Sequence, residues 1–537
     1  MIYRTDKDIS CIMRKVKSKD TKPELMIRQA LWKQGHRYRL HVQGLIGKPD
    51  IVFIKSRLVI FIDGDFWHGN QWRLRKFRSL EEQFVSFNNK DYWLIKINKN
   101  ITRDVRITKE LTQSGWIVLR LWESDVLRHL ERSVLMITNS LNTNIDNFYS
   151  IISHKSVAEY FAGIGLMRLG LEQEGWKVNF ANDIDIDKYN MYSGNFPDQS
   201  CHFNLGDIHQ LSVDEVPSTT LATASFPCND LSLAGSRQGL KGKHSSAFWG
   251  LIRILNEMGE RRPPIILLEN VAGFLTSHDG RDFQSALLAL NTLGYTVDAF
   301  ILDAANFVPQ SRVRLFVIGS LLPINSSWKI NETPGFYESS VRPKSLADFI
   351  LMHPEISWNI RSLPDPPKRL LNLEVIVENL PFTSSYWWNK ERTDYLLNQM
   401  SPKHSSQLAQ MISKSEWSYG TVFRRVRNEK SMAELRIDGI AGCLRTPRGG
   451  SGRQILIQAG FDQVHARLIT PRECARLMGA DDFVINATQN QALFGFGDAV
   501  CVPVVSWLAR YYLNPLATEL LHGNPMLNLD QQYKYII

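Results

Sequence analysis

Residues 159–166 read Glu159-Tyr-Phe-Ala-Gly-Ile-Gly-Leu166, an apolar strand that runs into a Gly-x-Gly turn and then a helix. Glycine lets the backbone turn tightly and approach a bound nucleotide. Asp183 lies 20 residues after Gly163, at the end of the next predicted strand, where a carboxylate can hold ribose hydroxyls. The third fingerprint position holds Arg168 rather than Gly or Ala, and a structural tight turn explains a lone Gly-x-Gly about equally well.

The pattern around this turn alternates strands with helices from Ser156 onward, which is typical of an α/β sheet with crossover connections. Residues 320–460 are less regular and suggest an inserted second lobe. Helical patterning returns at Thr470–Met478 and Val500–Leu513. The predicted strands of this region are Val157–Phe161, Val178–Asn182, Leu221–Ala224, Ile265–Leu268 and Leu315–Ile318.

Three further motifs follow or precede these strands, at the sheet edge where such folds bind ligands. Cys228, in Ser225-Phe-Pro-Cys-Asn-Asp-Leu-Ser232, is a candidate nucleophile, although an isolated cysteine is more often a buried thiol. Glu269 is a candidate acid, although a solvated strand-end Glu is commoner. Arg312 and Arg314 alternate and should face one side, unless they are a plain surface pair.

Together these motifs fit one reaction. A thiolate that adds to C6 of cytosine, with an acid protonating N3, makes C5 nucleophilic enough to attack a methyl sulfonium. The base must first leave the duplex stack, which requires a deep pocket and a mobile loop. The glycine-punctuated residues 234–243 suit such a loop.

Residues 156–515 resemble the DNA cytosine-5 methyltransferases, with the motifs in the usual order. The resemblance implies a Rossmann-like domain that uses S-adenosylmethionine, with Cys228 as nucleophile, Glu269 as N3 acid and the paired arginines at Arg312 and Arg314. Residues 466–479 and 495–503 look like the family's ninth and tenth motifs. The implied cofactor positions are Phe161, Gly163, Gly165, Asp183, Ile184, Asp207, Ile208, Pro227, Asp498 and Ala499.

Two positions depart from that family. Asn229 stands where Gln usually follows the nucleophile, and Asp498 stands where the tenth motif usually has Asn. Neither change removes a catalytic group. The family reads its target sequence in the lobe, and the basic, glycine-rich stretch Thr446–Gln454 suits DNA contact there, with an ordinary flexible loop as the alternative.

The first 150 residues carry a second group of polar side chains. Asp50 opens one predicted strand and Asp63 ends the next, so pairing of the strands would bring them together, and Glu24 on the preceding helix could add a third carboxylate. Clustered carboxylates bind Mg²⁺, and a metal near His68 offers a route to phosphodiester hydrolysis. For any one of these residues alone, a solvated acid is the commoner case.

Residues 6–130 resemble the very-short-patch (Vsr) mismatch repair endonucleases, which nick DNA beside the T of a T·G mismatch. The resemblance implies a restriction-endonuclease-like (PD-(D/E)xK-type) α/β domain. It also implies that Asp50 and Glu24 bind the metal and that His68 is the catalytic histidine. Where the family has a Thr-His pair this chain has Ile62-Asp63, so that Asp63 supplies a carboxylate there. Its intercalating aromatics look like Phe66, Trp67 and Trp93. The family's zinc-binding positions are Asp65, Asn70, Trp72 and Ser124 here, so we expect no structural zinc.

Composition agrees with a DNA-binding protein. Residues 1–150 hold 27 Lys and Arg against 16 Asp and Glu, whereas the rest holds 36 against 38, so the whole excess of a +9 chain lies in the first quarter. A basic block of that size suggests a polyanion partner, with plain solvation as the alternative. The 44% apolar and 22% charged content is that of a globular protein. Six cysteines without a CxxC pair, no secretory signal and no long apolar run predict a cytoplasmic protein of bacterial type, associated with the nucleoid and not with a membrane.

We therefore expect an endonuclease-like domain at 1–136, a linker at 137–155, a methyltransferase core at 156–325, a target-recognition lobe at 326–460 and a return to the core at 461–537. The favoured function is a sequence-specific methyltransferase with an attached Mg²⁺-dependent endonuclease acting in T·G repair or restriction on double-stranded DNA, without an obligatory protein partner. The alternative is that the first domain is an inactive nuclease fold that only grips DNA. An RNA cytosine methyltransferase is disfavoured by the Phe-Pro-Cys and Glu-Asn motifs.

Overall fold

The computed structural model describes residues 19–40, 42–75, 77, 79–87, 89–114, 116–142, 154–227, 247–321, 338–427, 430–445 and 453–522. Cys228, Asn229, the loop at 234–243 and most of the Thr446–Gln454 stretch lie outside these residues. The described part contains a three-stranded, a seven-stranded and a four-stranded sheet, each covered by helices. The expected α/β class is confirmed.

The first sheet is built from β1 (Ile51–Phe53), β2 (Leu58–Asp63) and β3 (Ile117–Trp122) in that spatial order. β1 and β2 pair antiparallel, as the two predicted β runs require, and β3 runs parallel to β2. Burial of successive apolar residues on these strands forms the local core. The surrounding helices are α1 (Lys22–Lys33), α2 (Gln71–Leu74), α3 (Leu80–Phe84), α4 (Lys90–Gln113), α5 (Glu123–Arg128) and α6 (Leu130–Asn142).

Two of these helices differ from the sequence prediction. The sequence pattern predicts a helical stretch only near 101–114, but α4 begins at Lys90, because no Gly or Pro interrupts residues 90–113. α6 continues to Asn142, so the first six residues of the expected linker are helical. Asn and Ser in that stretch suggested a loop, but Val134, Met136 and Ile137 bury an apolar face.

The seven-stranded sheet has the order β6-β5-β4-β7-β8-β10-β9. Neighbours from β6 to β8 pair parallel, whereas β10 pairs antiparallel with both β8 and β9. The sequence prediction missed β6 and β9, and β8 extends three residues further than predicted, so that Glu269 lies within it. The strands are β4 (Ser156–Tyr160), β5 (Lys177–Asp183), β6 (Phe203–Leu205), β7 (Leu221–Ala224), β8 (Ile265–Val271), β9 (Thr296–Asp303) and β10 (Val313–Ser320).

Helices bury both faces of this sheet in two large apolar clusters. Those that follow the strands are α7 (Leu166–Glu172), α8 (Ile186–Asn195), α9 (Ala247–Glu257) and α10 (Arg281–Thr292). Helices from the end of the chain complete the layer: α14 (Pro471–Leu477), α15 (Gln489–Asp498), α16 (Val502–Leu508) and α17 (Asn514–His522). The predicted helix at Thr470–Met478 is confirmed, with Thr470 and Glu473 forming a capping box.

The third sheet, in the order β12-β11-β13-β14, is antiparallel throughout. Its last strand ends eight residues beyond the expected lobe boundary at 460. The helices before it are α11 (Lys344–Met352), α12 (Lys390–Leu397) and α13 (Pro402–Ile412), and its strands are β11 (Ser418–Arg427), β12 (Lys430–Arg436), β13 (Ile455–Gly460) and β14 (Gln463–Leu468).

Arg132 on α6 joins the first region to the second. Its guanidinium donates to the carbonyl of Glu355, to Asn291 Oδ1 at 3.0 Å and to Ser357 Oγ at 2.9 Å. One helical stretch among the described residues, Gln489–Leu520, is long and apolar enough to cross a membrane, but 72% of its apolar window is buried inside the protein. Core helices of globular proteins meet the same criteria.

Candidate active sites

The glycine turn after β4 contains two glycines with different roles. Gly165 has φ +85°, and a methyl group there would come within 2.3 Å of the Phe196 ring. Gly163 has φ +58°, and the nearest atom to a methyl group there is the Phe161 carbonyl oxygen at 4.0 Å. Packing therefore requires Gly165, whereas no described residue fills the space beside Gly163. That space is where a ligand can approach the backbone, so the turn fits a nucleotide-like cofactor.

Asp183 fixes the shape of this turn. One carboxylate oxygen accepts a hydrogen bond from Gly163 N at 2.8 Å, and the other accepts from Asp185 N at 2.9 Å. Burial raises the pKa of Asp183, while the nearby Lys188 charge opposes the rise. Each carboxylate oxygen can accept a second bond, so holding the turn does not prevent contact with a ribose.

Other predicted cofactor positions lie around the same edge. Ile184 is 68% exposed directly after β5, whereas Ile208 is buried. Asp207, in the loop after β6, accepts a hydrogen bond from His209 N at 2.9 Å. Asp498 of the predicted tenth motif accepts a hydrogen bond from Lys188 Nζ at 2.7 Å.

Lys188 was not identified from the sequence. The charges of Asp498 and Asp183 raise its pKa against the opposing effect of burial. This lysine on α8 therefore joins the two halves of the predicted cofactor edge.

The Pro-Cys and Glu-Asn motifs meet at the ends of adjacent parallel strands β7 and β8. Asn270 donates a hydrogen bond from Nδ2 to the carbonyl oxygen of Phe226 at 3.1 Å. Pro227 is the last described residue before Cys228, which lies outside the described residues. Glu269 is 6% exposed, and its Oε1 lies 3.0 Å from Arg314 Nε. The candidate acid is thus held beside the segment that enters Cys228.

The two alternating arginines have different partners. Arg314 pairs with Glu269. Arg312 lies just before β10 and is 2% exposed; its guanidinium donates to the carbonyl oxygens of Leu444 at 3.0 Å, Gly497 at 3.0 Å and Ala499 at 2.5 Å. Arg312 therefore connects the strand entry to the lobe and to the predicted tenth motif, while Arg314 alone contacts the candidate acid.

The predicted nuclease residues Asp63 and His68 belong to one network in which Asp63 is buried and His68 is half-buried. Arg120 donates to both oxygens of Asp63, at 2.6 and 2.7 Å. His68 Nδ1 lies 2.5 Å from Asp104 Oδ2 and 3.5 Å from Asp63 Oδ1. Burial alone would lower the pKa of His68, but the Asp104 hydrogen bond and the Asp63 charge raise it above its ordinary value. A histidine oriented by a carboxylate is suited to proton transfer.

Asp104 and Arg120 were also missed by sequence reasoning. Asp104 lies on α4, 36 residues beyond His68, so nothing local in the sequence indicates the contact. Arg120 stands in the middle of β3, where an apolar run concealed its role. Asn270 lay inside a recognised motif but received no role of its own.

The three predicted metal ligands differ in availability. Both oxygens of Glu24 accept hydrogen bonds from its own helix start, and Arg28 pairs with it at 2.9 Å. Arg120 occupies both oxygens of Asp63. Burial raises the pKa of Asp50 to about 6, and the charges of Glu24 and Asp63 add to the rise.

No group of three His, Cys, Asp or Glu side chains in the described residues is placed to hold a metal ion. Asp50 is the carboxylate whose negative surroundings fit a cation. Glu24 and Asp63 already accept hydrogen bonds on both carboxylate oxygens, and the arginine paired with each of them offsets its negative charge.

The predicted intercalating aromatics form one cluster. The ring centroid of Phe66 lies 5.2 Å from that of Trp67 and 5.3 Å from that of Trp93, and the centroids of the two tryptophan rings lie 6.0 Å apart. All three are half-buried. The three aromatic rings that were predicted to intercalate therefore lie side by side in the structure.

A hydrogen-bonded cluster occupies the positions where the Vsr family has zinc ligands. Asp65 Oδ1 accepts from Asn70 Nδ2 at 2.6 Å and from Ser124 Oγ at 2.9 Å, and Oδ2 accepts from Ser124 N at 3.0 Å. All three residues are buried. Trp72 packs into the apolar core instead.

Comparison with known proteins identifies two families in this chain. Residues 156–513 match the family described as C-5 cytosine-specific DNA methylase, and residues 2–74 match that described as DNA mismatch endonuclease Vsr. The chain is 38% identical over 131 residues to the type II nicking enzyme V.HpaIIP of Haemophilus parainfluenzae, which spans 24% of this chain and 88% of that relative.

Two further relatives are a second nicking enzyme and a methyltransferase. The chain is 42% identical over 117 residues to the type II nicking enzyme V.NmeDIP of Neisseria meningitidis serogroup C, over 22% of this chain and 74% of that relative. It is 29% identical over 377 residues to the type II methyltransferase M.DsaV of Dactylococcopsis salina, over 70% of this chain and 90% of the relative.

Proposed function

Because the chain belongs to the C-5 cytosine-specific DNA methylase family and carries an N-terminal domain of the Vsr mismatch endonuclease family, we propose that it methylates cytosine within a specific double-stranded DNA sequence and nicks DNA with its first domain. The observation that carries the first activity is the junction of β7 and β8. There Asn270 holds the Phe226 carbonyl and Arg314 holds Glu269.

In the proposed reaction the Cys228 thiolate adds to C6 of a cytosine that has left the helix, while Glu269 gives a proton to N3. C5 then attacks the methyl group, and the neutral thioether leaves. A base takes the C5 proton, elimination releases the thiolate, and N3 returns its proton to the Glu269 carboxylate. S-adenosylmethionine, when bound, supplies that methyl group on a sulfonium. The open space at Gly163 and the Asp183 contacts support a cofactor site, and we assign to it Phe161, Gly163, Gly165, Asp183, Ile184, Asp207, Ile208, Pro227, Asp498 and Ala499.

A covalent trap tests the methyl transfer. DNA carrying 5-fluorocytosine at the target should form a denaturation-resistant complex with the wild type in the presence of S-adenosylmethionine, because fluorine at C5 prevents elimination. Cys228→Ser should give no complex and no methylation. Glu269→Gln should methylate at least about a hundredfold more slowly while it binds cofactor normally. A fully active Cys228→Ser protein would overturn the mechanism.

The target sequence is a separate question that the same protein can answer. Bisulfite sequencing of DNA from cells that express the chain will give the methylated sequence. We assign its reading to the lobe at 326–460, where the first three strands of the four-stranded sheet and the Thr446–Gln454 stretch lie in sequence.

For the first domain, the observation that carries nuclease activity is the Asp104–His68 pair beside Asp63 and Arg120. We propose that His68 transfers a proton during phosphodiester hydrolysis and that Asp50 binds Mg²⁺, with Asp63 and Glu24 contributing negative charge. The relatives of this region are called nicking enzymes. Such an activity would place the protein with DNA in the cytoplasm, in T·G repair or in restriction.

Nicking assays separate these roles from a domain that only binds DNA. A repair nuclease should nick T·G duplexes and spare matched ones, whereas a restriction nuclease should cut matched, unmethylated DNA. Both should require Mg²⁺ and should fail in Asp50→Ala. If wild type and Asp50→Ala cut equally little with Mg²⁺ present while both bind DNA, the domain serves only as a DNA-binding module.

A further inference from the structure

Cys443 lies at the catalytic edge but has no place in the reaction described above. Its Sγ is 3.4 Å from Arg312 Nη1 and 3.9 Å from Arg314 Nη2. The residue is half-buried, just before the Thr446–Gln454 stretch of the lobe. It therefore stands between the two arginines on the side of the lobe.

The charges around this sulfur are unbalanced if the thiol is neutral. Arg312 has no carboxylate partner at ion-pairing distance among the described residues, because its guanidinium bonds are to backbone carbonyls. The carboxylate of Glu269 pairs with Arg314 instead. The charge of Arg312 therefore lacks a carboxylate in contact with it, and a buried charge without a counter-ion is costly.

We propose that Cys443 is a thiolate that serves as counter-ion to Arg312 and Arg314, and that it positions Arg314 against Glu269. The inference rests on the proposed methyl transfer for the role of Glu269 but not for the ion pair itself. Cys443 is thus a positioning residue, since it acts on the acid through Arg314.

The charged groups that face Cys443 favour the charged sulfur, whereas the Leu444 carbonyl oxygen, 3.3 Å from Sγ, is an acceptor that favours the neutral thiol. Arg312 and Arg314 approach from the entry of β10, and Arg445 follows on the same segment. Burial opposes ionisation, but the charges of these three arginines together lower the pKa of the Cys443 thiol. A cysteine beside cationic groups is also the kind that reacts readily with electrophiles.

The first test measures the ionisation directly. The full-length protein is alkylated with a small excess of iodoacetamide from pH 5.5 to pH 9.5, and the rate at each cysteine is read by peptide mass spectrometry. Cys201, which is exposed and whose sulfur lies 3.9 Å from the Ser200 hydroxyl, is the reference in the same chain. The rate at Cys443 should reach its half-maximum at least about one pH unit below that of Cys201. An equal or higher midpoint overturns the ion pair.

The second test measures the positioning role. Cys443→Ser keeps the size of the side chain but removes the charge, and Cys443→Asp restores a charge. We expect Cys443→Ser to lower kcat for methyl transfer by about tenfold or more with little change in the KM of the cofactor, and Cys443→Asp to recover most of the loss. Wild-type activity in Cys443→Ser, or equal losses in both variants, would overturn the positioning role. Melting temperatures of the variants verify that each is folded.

The two tests also distinguish this inference from the proposed function. Alkylation does not depend on methyl transfer. If the alkylation rate of Cys443 in an active enzyme has a high pH midpoint, only the inference about Cys443 is wrong. If the alkylation rate of Cys443 has a low pH midpoint in a wild-type protein that methylates no DNA, the proposed function is wrong and the ion pair is still supported.

Discussion

The side-chain amide of Asn270 donates a hydrogen bond of 3.1 Å to the carbonyl oxygen of Phe226, two residues before Cys228 in the sequence. Asn270 is 4% exposed and lies on β8 next to Glu269. One side chain thereby couples the strand of the candidate acid to the segment of the candidate nucleophile. This bond joins the strand that carries Glu269 to the last described residues before Cys228.

Replacement of Asn270 by Ala should separate positioning from chemistry. The Phe226 carbonyl loses its partner, which should cost about 1–3 kcal/mol of stability. A small displacement of the nucleophile segment should lower kcat for methyl transfer by about a hundredfold. Binding of S-adenosylmethionine, measured by calorimetry, should stay near the wild-type value, because the glycine turn is untouched.

Asn291 supplies the matched control for this prediction. It is also buried and donates to the Tyr295 carbonyl at 2.8 Å. Its Oδ1 accepts from Arg132 at 3.0 Å, and it lies at the end of α10 away from the catalytic edge. Asn291→Ala should lower the melting temperature and leave kcat unchanged. Equal kcat losses in the two variants would mean that Asn270 acts only through stability.

The open space at Gly163 predicts a cofactor-specific effect of a single methyl group. A residue other than glycine in a left-handed conformation costs roughly 1–2 kcal/mol, so Gly163→Ala should be modestly destabilised. Its methyl group should also occupy part of the cofactor space and raise the Kd for S-adenosylmethionine by about tenfold or more. Isothermal titration calorimetry measures that constant directly.

Gly175 provides the control for the loss of stability that any residue other than glycine causes at a positive φ angle. It has φ +84°, and a methyl group there would also meet nothing within 4 Å, but it lies in the loop between α7 and β5. Gly175→Ala should show the same loss of stability with an unchanged Kd. If both variants bind cofactor as the wild type does, the space at Gly163 is not part of the site.

The sequence alone predicted those strands and helices that a short stretch of neighbouring residues determines. β7 was predicted to the residue, and the strands around the glycine turn were predicted to within a residue or two, because apolar runs bounded by glycine and polar residues determine them. The antiparallel placement of β10 was not predicted, because it depends on the pairing of β8, β9 and β10 in space. Such pairing has no signature in one segment of sequence.

The same distinction applies to the candidate sites. Gly163, Asp183 and Glu269 were identified by their positions relative to single strands. Asp104 and Lys188 were not, because their contacts with His68 and Asp498 join residues 36 and 310 positions apart. The alternation of Arg312 and Arg314 suggested a shared role, but burial in the fold gives only Arg314 a contact with the acid.

The His68–Asp104 contact predicts the pH dependence of nicking. Asp104 raises the pKa of His68, so the neutral ring, which can accept a proton, forms only at higher pH. In Asp104→Asn that effect is lost, and the ascending limb of the rate against pH should move to lower pH. The plateau rate should fall by about 10- to 100-fold, because the ring also loses its orienting partner. Single-turnover nicking from pH 5.5 to pH 9 measures both quantities.

Glu110 on the same helix is the control for that experiment. It is exposed and pairs only loosely with Arg106, at 3.6 Å. Glu110→Gln should leave the limb and the plateau unchanged. A limb that stays in place in Asp104→Asn would show that a group other than His68 governs the profile.

The raised pKa of the Glu159 carboxyl predicts that the methyltransferase region loses stability as the pH rises. This residue of β4 is 1% exposed, and burial raises its pKa to about 8, although the Arg168 charge opposes the rise. In the unfolded chain an ordinary Glu titrates near pH 4.3. The folded protein therefore binds one more proton between these two values, and stability present at low pH is lost as the pH rises to about 8.

Glu159→Gln keeps the shape of the side chain but cannot ionise, so its melting temperature should fall less than that of the wild type between pH 5.5 and pH 8.5. Glu257→Gln is the control, because Glu257 is exposed and pairs with Arg253 on the surface of α9, where an ion pair contributes little. Thermal unfolding without cofactor gives the three curves. The difference in melting temperature between wild type and Glu159→Gln, followed against pH, isolates the effect of this one carboxyl from that of the other titrating groups. If the two curves of melting temperature against pH are parallel, Glu159 does not carry its proton in the folded protein.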